Sequence, residues 1–378
     1  MAGEGTLKSC GVPLAQQYHL ALLDLDGVVY RGANSVAYAA DAVRGAASLG
    51  MRVCYTTNNP SRPPQAVANQ IAGFGIPVSP DQIVTSAAAV AFLLAQELPV
   101  GAVVLVIGAD ALKDAVRRAG FRVVDGAWED PAAVVEGWYP SLCWTQLAQA
   151  AYAIERGARY FATNLDRTIP REDGIAPGNG AMIGAVTAAT GVAPCRCAGK
   201  PESVLYDIGL RRTGVVASDA LAVGDRLDTD IEAASREGCD SLCVLTGVTD
   251  ARTLLFAAPK QRPTYIAADL RGLLKMHAAP ALQGVLCQDG TGENGGGNRL
   301  AVDGDIPCVG MSDVPVCCAT LPGLACAVCD EHSRVWSAGP AMDRLRCLCQ
   351  LSWALADAGV AMQSLDFCDF SVVEEELR

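Results

Sequence analysis

The sequence lacks several features that would point to a membrane or to nucleic acid. No apolar run reaches the roughly 18 residues that a membrane-spanning helix needs, and the opening stretch MAGEGTLKSC is polar where a secretory segment would be hydrophobic. Lys- and Arg-rich runs are absent too, and a formal net charge of −12 would repel a polyphosphate backbone. We therefore expect a cytoplasmic protein with neither a membrane nor a nucleic-acid partner.

Aromatic residues are also scarce, at 6% of the chain, although 51% of the residues are hydrophobic. Ala, Val, Gly and Leu dominate, which suits helices packed on a buried parallel sheet. No internal repeat of solenoid length is present. With 378 residues, the chain is long enough for a core domain with an insertion and an appendage.

Strand-like apolar runs alternate with helix-like stretches along most of the chain. HLALLDLDGVVY and MRVCYTTNN alternate with helical segments near residues 36–49 and 64–73, and the same order returns after residue 197. This βαβ rhythm predicts an α/β, doubly wound parallel sheet. We assign residues 1–84 and 191–279 to the core, 85–190 to an inserted α/β cap and 280–378 to a small α+β appendage.

Two carboxylates, Asp24 and Asp26, stand at the end of the first apolar strand. Ligands of parallel sheets bind at the carboxyl ends of strands, and carboxylates crowded there repel one another unless a cation stabilises them. Asp and Gly are also common turn residues, so the pair alone is compatible with a simple turn. An EF-hand is excluded, because the glycine position, the flanking helices and the distal Glu do not match.

Three further polar elements follow apolar strands in the same way. A hydroxyl and turn amides can hold phosphoryl oxygens, a lysine before a helix can reach a phosphate, and clustered acids suit a hard cation. The residues are Thr57, Asn58 and Asn59, then Lys200 in GKPE, then Asp225 with Asp228 and Asp230. Each has an ordinary alternative as a cap, a solvated lysine or a turn. Four such elements in order favour a phosphoryl-transfer site.

The segments DLDGVVY, YTTNNPS, AGKPE and GDRLDTDIEAA resemble the four motifs of the haloacid dehalogenase (HAD) superfamily. The segments TNN and GDRLDTDI are similar to the corresponding motifs of the NagD-type branch (subfamily IIA), which carries a large C2 cap. VIGADALKDAVRRAGF, FATNLDRTIP and APGNGAMIGAVTAATG are similar to cap segments of that branch. The resemblance covers residues 15–275 and is strongest to actinobacterial glycerol-3-phosphate phosphatases, which also have an appendage.

The resemblance implies a Mg²⁺-dependent phosphatase with an aspartyl-phosphate intermediate. Asp24 would be the nucleophile and Asp26 the acid and then the base. Mg²⁺ would be bound by Asp24, the backbone carbonyl of Asp26 and Asp225. Asp230 would support these ligands without binding the ion directly. Thr57, Asn58, Asn59 and Lys200 would hold the phosphoryl group.

The cap should choose the substrate, because a cap can close over a small ligand and exclude water. The candidate contacts lie in TNLDRTIPREDG and PGNG and are Asn164, Asp166, Arg167 and Asn179, each of which can also simply build a turn. We expect a small phosphorylated metabolite. Glycerol 3-phosphate is favoured by the resemblance, and phosphoglycolate, pyridoxal phosphate and nucleoside monophosphates would use the same core chemistry.

The sixteen cysteines do not by themselves indicate disulfides. Seven lie before residue 280 among apolar neighbours, so we expect free, buried thiols. In the appendage, a CxxC and a nearby histidine raise zinc as an alternative, although zinc sites usually space their ligand pairs further apart. The residues concerned are Cys317, Cys318, Cys326, Cys329 and His332.

The role of the appendage stays open. The resembling subgroup suggests a partial acetyltransferase-like module, but no Arg/Gly-rich loop suits an acyl-coenzyme A pyrophosphate, so a second activity is not expected. QDGTGENGGGNR (288–299) reads as a flexible connection. Alternatives to a phosphatase are a regulatory or assembly protein with a vestigial site, and phosphotransfer to a sugar. The cap or the tail is the expected place for a homo-oligomer contact.

Overall fold

The structure is a computed structural model that describes residues 6–171, 173–283, 317–321, 325–329, 334–368 and 370–377. The first half of the core contains a central parallel pair and a small hairpin. Its strands are β1 (Leu20–Asp24), β2 (Tyr30–Arg31), β3 (Asn34–Ser35), β4 (Arg52–Thr57) and β5 (Ile83–Thr85). Its helices are α1 (Leu14–Gln17), α2 (Ala39–Ser48) and α3 (Pro64–Gly73).

The inserted cap has its own sheet. Its helices are α4 (Ser86–Glu97), α5 (Asp110–Arg118), α6 (Trp144–Glu155) and α7 (Asn179–Thr190). Its strands are β6 (Val103–Ile107), β7 (Arg122–Val124), β8 (Ala133–Glu136), β9 (Arg159–Ala162), β10 (Thr168–Arg171), β11 (Gly174–Pro177) and β12 (Arg196–Cys197). Five of these form a parallel sheet in the order β12-β9-β8-β6-β7, and β10 and β11 form a hairpin.

The chain then returns to the core and ends in the appendage. The returning elements are α8 (Val204–Thr213), β13 (Ala220–Gly224), α9 (Glu232–Glu237), β14 (Asp240–Val244), α10 (Ala251–Leu255) and β15 (Tyr265–Ala267). The appendage has β16 (Ala281–Gln283), β17 (Cys317–Leu321), β18 (Ala325–Cys329), β19 (Arg334–Ala338), α11 (Ala341–Asp357), β20 (Asp366–Phe367) and α12 (Phe370–Leu377). Its sheet follows that order, antiparallel except for the last pair.

The core sheet is parallel throughout, in the order β15-β14-β13-β1-β4-β5. All five residues of β1 are buried, as expected for a strand covered on both faces. Leu23 packs in a cluster with α2 and α3, and Leu22 packs in a second cluster with α8 and α4. The predicted doubly wound α/β core, with its cap and appendage, is therefore confirmed.

The elements differ from the sequence prediction in two places. The cap sheet includes β12, so the predicted boundary at residue 190 falls short of the last cap strand. The sequence does not predict this short strand, because Arg196 and Cys197 do not belong to an apolar run. Lys200 is predicted to stand just before a helix, but α8 begins only at Val204, after a turn at residues 200–203. The other domain boundaries stay predictions.

The appendage packs directly against the core. Trp353 is almost fully buried and donates through Nε1 to the carbonyl of Leu254 at 2.9 Å. The buried guanidinium of Arg262 binds both carboxylate oxygens of Asp357, at 2.7 and 2.8 Å. Arg346 donates to the carbonyl of Ile266 in β15, the outer strand of the core sheet, at 2.9 Å. The tail is thus an integral layer of the fold.

The cysteines of the tail are described only in part, and the expectation of free thiols there stays a prediction. Cys318 and Cys329 are buried. His332 and the side chains of Cys317 and Cys326 lie outside the described part, as does the Gly-rich stretch 288–299. Among the described residues, no helix has both the length and the apolar character needed to cross a membrane.

Candidate active site

The site lies at the carboxyl edge of the core sheet, where three neighbouring parallel strands end. β1 ends at Asp24, with Asp26 two residues later, and β4 ends at Thr57. β13 ends just before Asp225, and a π-helical turn, Leu227–Ile231, carries Asp230. Because the strands are parallel and adjacent, their terminal side chains converge.

Three aspartates form a compact cluster. Asp24, Asp225 and Asp230 each offer an oxygen within 4.8 Å of the others, and all three are largely buried. Lys200, only 3% exposed, donates through Nζ to Asp24 and, at 2.6 Å, to Oδ1 of Asp230. The single ammonium cannot balance three carboxylates, so the cluster keeps a negative excess suited to a divalent cation.

The hydrogen bonds distinguish Asp225 and Asp230, the two acids of the fourth motif that belong to this cluster. Oδ1 of Asp230 accepts from Lys200 and Oδ2 accepts from the amide of Arg226 at 3.1 Å. In Asp225, Oδ2 accepts from the amide of Val248 at 2.7 Å, whereas Oδ1 is buried and has no hydrogen-bond partner among the described residues. A buried, unpaired carboxylate oxygen costs free energy unless a ligand satisfies it. Oδ1 of Asp225 is therefore the oxygen best placed to bind a metal.

Burial and mutual repulsion shift the pKa values of this cluster. Burial raises the pKa of Asp24 well above its ordinary value; Lys200 opposes this and the other two aspartates add to it. Burial, followed by the charge of Asp230, raises the pKa of Asp225 to about 7. Burial acts to lower the pKa of Lys200, but Asp230 and Asp24 raise it well above its ordinary value, so the lysine stays charged.

Two glycines make room for Asp225. A Cβ at Gly247 would lie 1.7 Å from Oδ2 of Asp225, and a Cβ at Gly27 would lie 2.5 Å from the same atom. Gly27 also has a φ of +83°, which other residues rarely adopt. The loops after β1 and β14 can close around this carboxylate only because both residues lack a side chain.

The loop after β4 also belongs to the site, but much of it is internally bonded. The hydroxyl of Thr57 accepts from the amide of Asn59 at 3.1 Å, and Oδ1 of Asn59 accepts from the amide of Ser61 at 2.8 Å. The side chain of Asn58 is bonded to the backbone of Lys200. Thr57, Asn58 and Asn59 all line the same cavity as Asp24.

That cavity, of about 510 Å³, lies between the core and the cap. It brings together all the predicted core residues: Asp24, Asp26, Thr57, Asn58, Asn59, Lys200, Asp225 and Asp230. From the cap it includes Asn164, Asp166 and Asn179. Motifs of the core and of the cap that are far apart in the sequence therefore line the same cavity.

Arg167 was expected to contact the substrate, but it is not among the described residues that line the cavity. Its side chain is exposed. Its carbonyl accepts from the amide of Gly178 at 2.9 Å, and neighbouring residues of an extended loop point to opposite sides, with Asp166 taking the cavity side. A substrate contact by Arg167 therefore gains no support from the cavity lining and stays a prediction.

Several lining residues were missed in the sequence. These are Arg31, Trp138, Thr168, Ile169, Arg226 and Val248. Trp138 follows the carboxyl end of β8, so the strand-end rule applied to the core strands would have found it in the cap as well. Arg226 lies inside the GDRLDTDI motif, directly after Asp225, so its place in the motif is the signal that could have found it.

The side chain of Asn179 leaves one atom unsatisfied. Its Nδ2 donates to the carbonyls of Asn164, at 2.8 Å, and of Glu136, at 3.3 Å. Carbonyls only accept, so these contacts fix which end of the amide is which. The remaining atom, Oδ1, is buried and has no partner among the described residues. A cavity-lining acceptor of this kind suits a ligand that donates a hydrogen bond.

Comparisons with known proteins agree with this geometry. The family model for haloacid dehalogenase-like hydrolases matches residues 21–122, and a HAD-hydrolase-like model matches residues 197–273. The D-glycerol 3-phosphate phosphatase of Mycobacterium tuberculosis is 41% identical over 295 residues, 78% of this chain and 81% of the relative. A 5'-nucleotidase of Bacillus subtilis is 38% identical over 60% of this chain and 87% of its own length.

A solved structure supports the same relationship across the appendage. The crystal structure of glycerol phosphate phosphatase from Mycobacterium tuberculosis in complex with magnesium has a TM-score of 0.72 and 36% identity. The match covers 91% of this chain and 92% of that one, so it extends into the C-terminal appendage. From the shared motifs, the fold and these similarities, the chain belongs to the haloacid dehalogenase-like hydrolases, in their NagD-type phosphatase branch.

Proposed function

We propose that this protein is a Mg²⁺-dependent phosphomonoesterase that uses Asp24 as its nucleophile. The observation that carries the proposal is the convergence of Asp24, Asp225, Asp230 and Lys200 in one cavity. An ionised carboxylate needs no general base to attack phosphorus. The charged Lys200 favours the ionised form of Asp24 and offsets charge on a phosphoryl group beside it.

The donor set fits Mg²⁺. Asp24, Asp225 and the backbone carbonyl of Asp26 would hold the ion, because oxygen ligands suit this hard cation and Oδ1 of Asp225 is otherwise unsatisfied. Both oxygens of Asp230 are already bonded within the protein, which favours a supporting role. When bound, Mg²⁺ supplies positive charge that balances the carboxylates and the phosphoryl oxygens.

The reaction proceeds in two displacements. In the first, Asp24 attacks phosphorus, the bond to the substrate alcohol breaks, and Asp26 donates a proton to the departing oxygen. In the second, Asp26 takes a proton from water as that water attacks the aspartyl-phosphate, which releases phosphate and restores Asp24. Asp26 is exposed to the cavity and lies two residues from the nucleophile. Thr57, Lys200 and the backbone amides of the loop at Asn58 and Asn59 hold the phosphoryl oxygens.

We propose a small polyol phosphate as the substrate, with glycerol 3-phosphate first. The cap covers the cavity, which favours a small ligand over a phosphoprotein. The unsatisfied Oδ1 of Asn179 requires a hydrogen-bond donor, and a substrate hydroxyl is one whereas a carboxylate is not. The Mycobacterium relative acts on D-glycerol 3-phosphate, by its name. Phosphoglycolate, pyridoxal phosphate and nucleoside monophosphates are the alternatives.

A panel of phosphate monoesters tests the proposal. We expect phosphate release from glycerol 3-phosphate in Mg²⁺ buffer, little release after chelation, and a loss of about 10⁴-fold or more in Asp24→Asn. Asp114→Asn, an exposed change in helix α5, is the matched control and should keep full turnover. Wild-type turnover by Asp24→Asn would refute the nucleophile. Release only in the presence of an added sugar acceptor would favour the phosphotransferase alternative, and none from any ester would favour a regulatory protein.

Three expectations stay predictions from the sequence. They are the cytoplasmic location, the homo-oligomer contact through the cap or the tail, and the acetyltransferase-like character of the appendage.

A further inference from the structure

Asn58 contacts both connections between core and cap. Its backbone carbonyl accepts from the hydroxyl of Ser86, at 2.6 Å, where the chain enters cap helix α4. Its side chain is bonded to Lys200, just beyond the place where the chain leaves cap strand β12. One residue of the loop after β4 is therefore fixed to the entry and to the exit of the cap.

The bonds to Lys200 form a two-point clamp. The amide of Lys200 donates to Oδ1 of Asn58 at 2.8 Å, and Nδ2 of Asn58 donates to the carbonyl of Lys200 at 3.1 Å. The backbone groups allow only one orientation of the Asn58 amide. Because the clamp holds the Lys200 backbone, it also fixes the position from which the Lys200 side chain extends. The Nζ atom of that side chain reaches Asp24 and Asp230.

The same side chain also contacts the cap. Nδ2 of Asn58 lies 3.2 Å from Oδ2 of Asp166, in the loop after β9. A second cap residue, Asn164, donates through its own Nδ2 to the backbone carbonyl of Asn58 at 2.8 Å. Cap loop, phosphate loop and catalytic lysine thus share one hydrogen-bond network centred on Asn58.

The exit connection is packed too tightly to move alone. A Cβ at Gly199 would lie 2.7 Å from the carbonyl of Thr163 and 2.8 Å from Oδ1 of Asn58. The backbone before Lys200 therefore sits directly between the cap loop and Asn58. A shift of the cap loop has to be taken up by Asn58, by Lys200 or by both.

We propose that Asn58 is a positioning residue that couples the seating of the cap to the placement of Lys200. The inference rests on the proposed function, in which Lys200 offsets charge in the transition state. With the cap seated, Asp166 holds Nδ2 of Asn58, and Asn58 holds the Lys200 backbone so that Nζ points at Asp24. With the cap displaced, Asn58 loses its hydrogen bonds to Asp166 and Asn164. The backbone of Lys200 is then no longer held in one position.

A swap of the two side chains tests the coupling. Asn58→Asp sets a carboxylate against that of Asp166, so we expect kcat to fall on the order of 10- to 100-fold at an almost unchanged unfolding temperature. In the double variant with Asp166→Asn, the amide introduced at position 166 can donate to the carboxylate at position 58. We expect kcat of the double variant to be about tenfold higher than that of Asn58→Asp. The recovery should be only partial, because both variants lack the hydrogen bond to the Lys200 carbonyl.

Asn69→Asp, the same chemical change at an exposed position of α3, is the matched control and should leave kcat unchanged. An Asn58→Asp variant as fast as this control, or a double variant slower than Asn58→Asp, overturns the proposal. Should Asn58→Asp not fold, Asp166→Ala takes its place: about tenfold lower kcat at saturating substrate supports the coupling, and unchanged kcat overturns it. Asp24→Asn, assayed alongside, reports on the chemistry independently of the swap.

Discussion

At the scale of single residues, two buried oxygen atoms of the site lack a hydrogen-bond partner. Oδ1 of Asp225 and Oδ1 of Asn179 are both buried without a partner among the described residues. One belongs to a crowded set of carboxylates and the other to a neutral amide whose donors are already used. The first calls for a cation and the second for a hydrogen-bond donor.

Mg²⁺ should stabilise the folded protein through Asp225. Binding to the native state alone raises the free energy of unfolding by about 3 kcal/mol at a concentration 100 times Kd. We expect this gain in the wild type and its near loss in Asp225→Asn, measured by thermal unfolding with and without Mg²⁺. Asp228→Asn, a more exposed change in the same turn, should keep the gain. Equal stabilisation of Asp225→Asn would show that the ion binds elsewhere.

Asn179→Ala should weaken the binding of substrates that carry a hydroxyl. The lost hydrogen bond corresponds to about a tenfold rise in KM for glycerol 3-phosphate. p-Nitrophenyl phosphate has no hydroxyl to donate, so its KM should change much less, and the comparison of the two esters removes any general effect of the substitution. An equal rise for both would mean that Oδ1 is satisfied within the cap, for instance by a protonated Glu136.

At the scale of elements, cap strand β8 ends in a buried acid that serves no predicted catalytic step. Glu136 is fully buried, accepts a hydrogen bond from Tyr160 and has an unpaired Oε1. Burial raises its pKa from 4.5 to about 7, and the bond from Tyr160 only partly opposes this. The neutral form is therefore favoured in the folded cap.

This carboxyl should make stability depend on pH. Between about pH 4.5 and 7 the folded state holds more protons than the unfolded state, so the free energy of unfolding should fall as the pH rises, by about 3 kcal/mol in total. Glu136→Gln should reduce the slope in denaturant titrations across the window by this amount and leave the contribution of Asp225, whose pKa is also raised to about 7. Glu155→Gln, an exposed change in α6, should retain the full slope. A wild-type slope in Glu136→Gln would contradict the assignment.

The strands and loops of the site also explain which of its residues could be predicted from the sequence. Asp24, Thr57 and Asp225 were predictable because each ends an apolar strand, and parallel strands end at one edge. The position of Arg167 outside the cavity lining was not, because the side of a loop that a residue occupies depends on packing partners far away in the chain. The clamp of Asn58 on Lys200 joins residues 142 positions apart, and no local pattern reports such a pair.

At the scale of the whole molecule, the appendage and the core share one hydrophobic cluster. It contains Leu254 and Leu255 from the core and Leu348 and Trp353 from α11. It also contains Ile231, which closes the π-helical turn that carries Asp230. The tail therefore packs into the same layer that supports part of the catalytic edge.

Trp353→Ala should destabilise the entire protein rather than the tail alone. A buried tryptophan reduced to alanine costs about 3–5 kcal/mol, and the substitution also leaves the carbonyl of Leu254 without its donor. We expect one cooperative transition at lower urea concentration, followed by circular dichroism. Trp128→Ala removes a tryptophan that is 66% exposed and should change stability by less than about 0.5 kcal/mol. Two separate transitions would indicate an independently folded tail.

The guanidinium of Arg346 on the carbonyl of Ile266 has a consequence for self-association. β15 is the outer strand of the core sheet, and an uncovered outer strand is a template on which another chain can add a strand. With α11 in place, this side of the sheet is shielded and one of its carbonyls is occupied. A chain that ends near residue 283 would expose the strand, so its first failure should be aggregation during refolding.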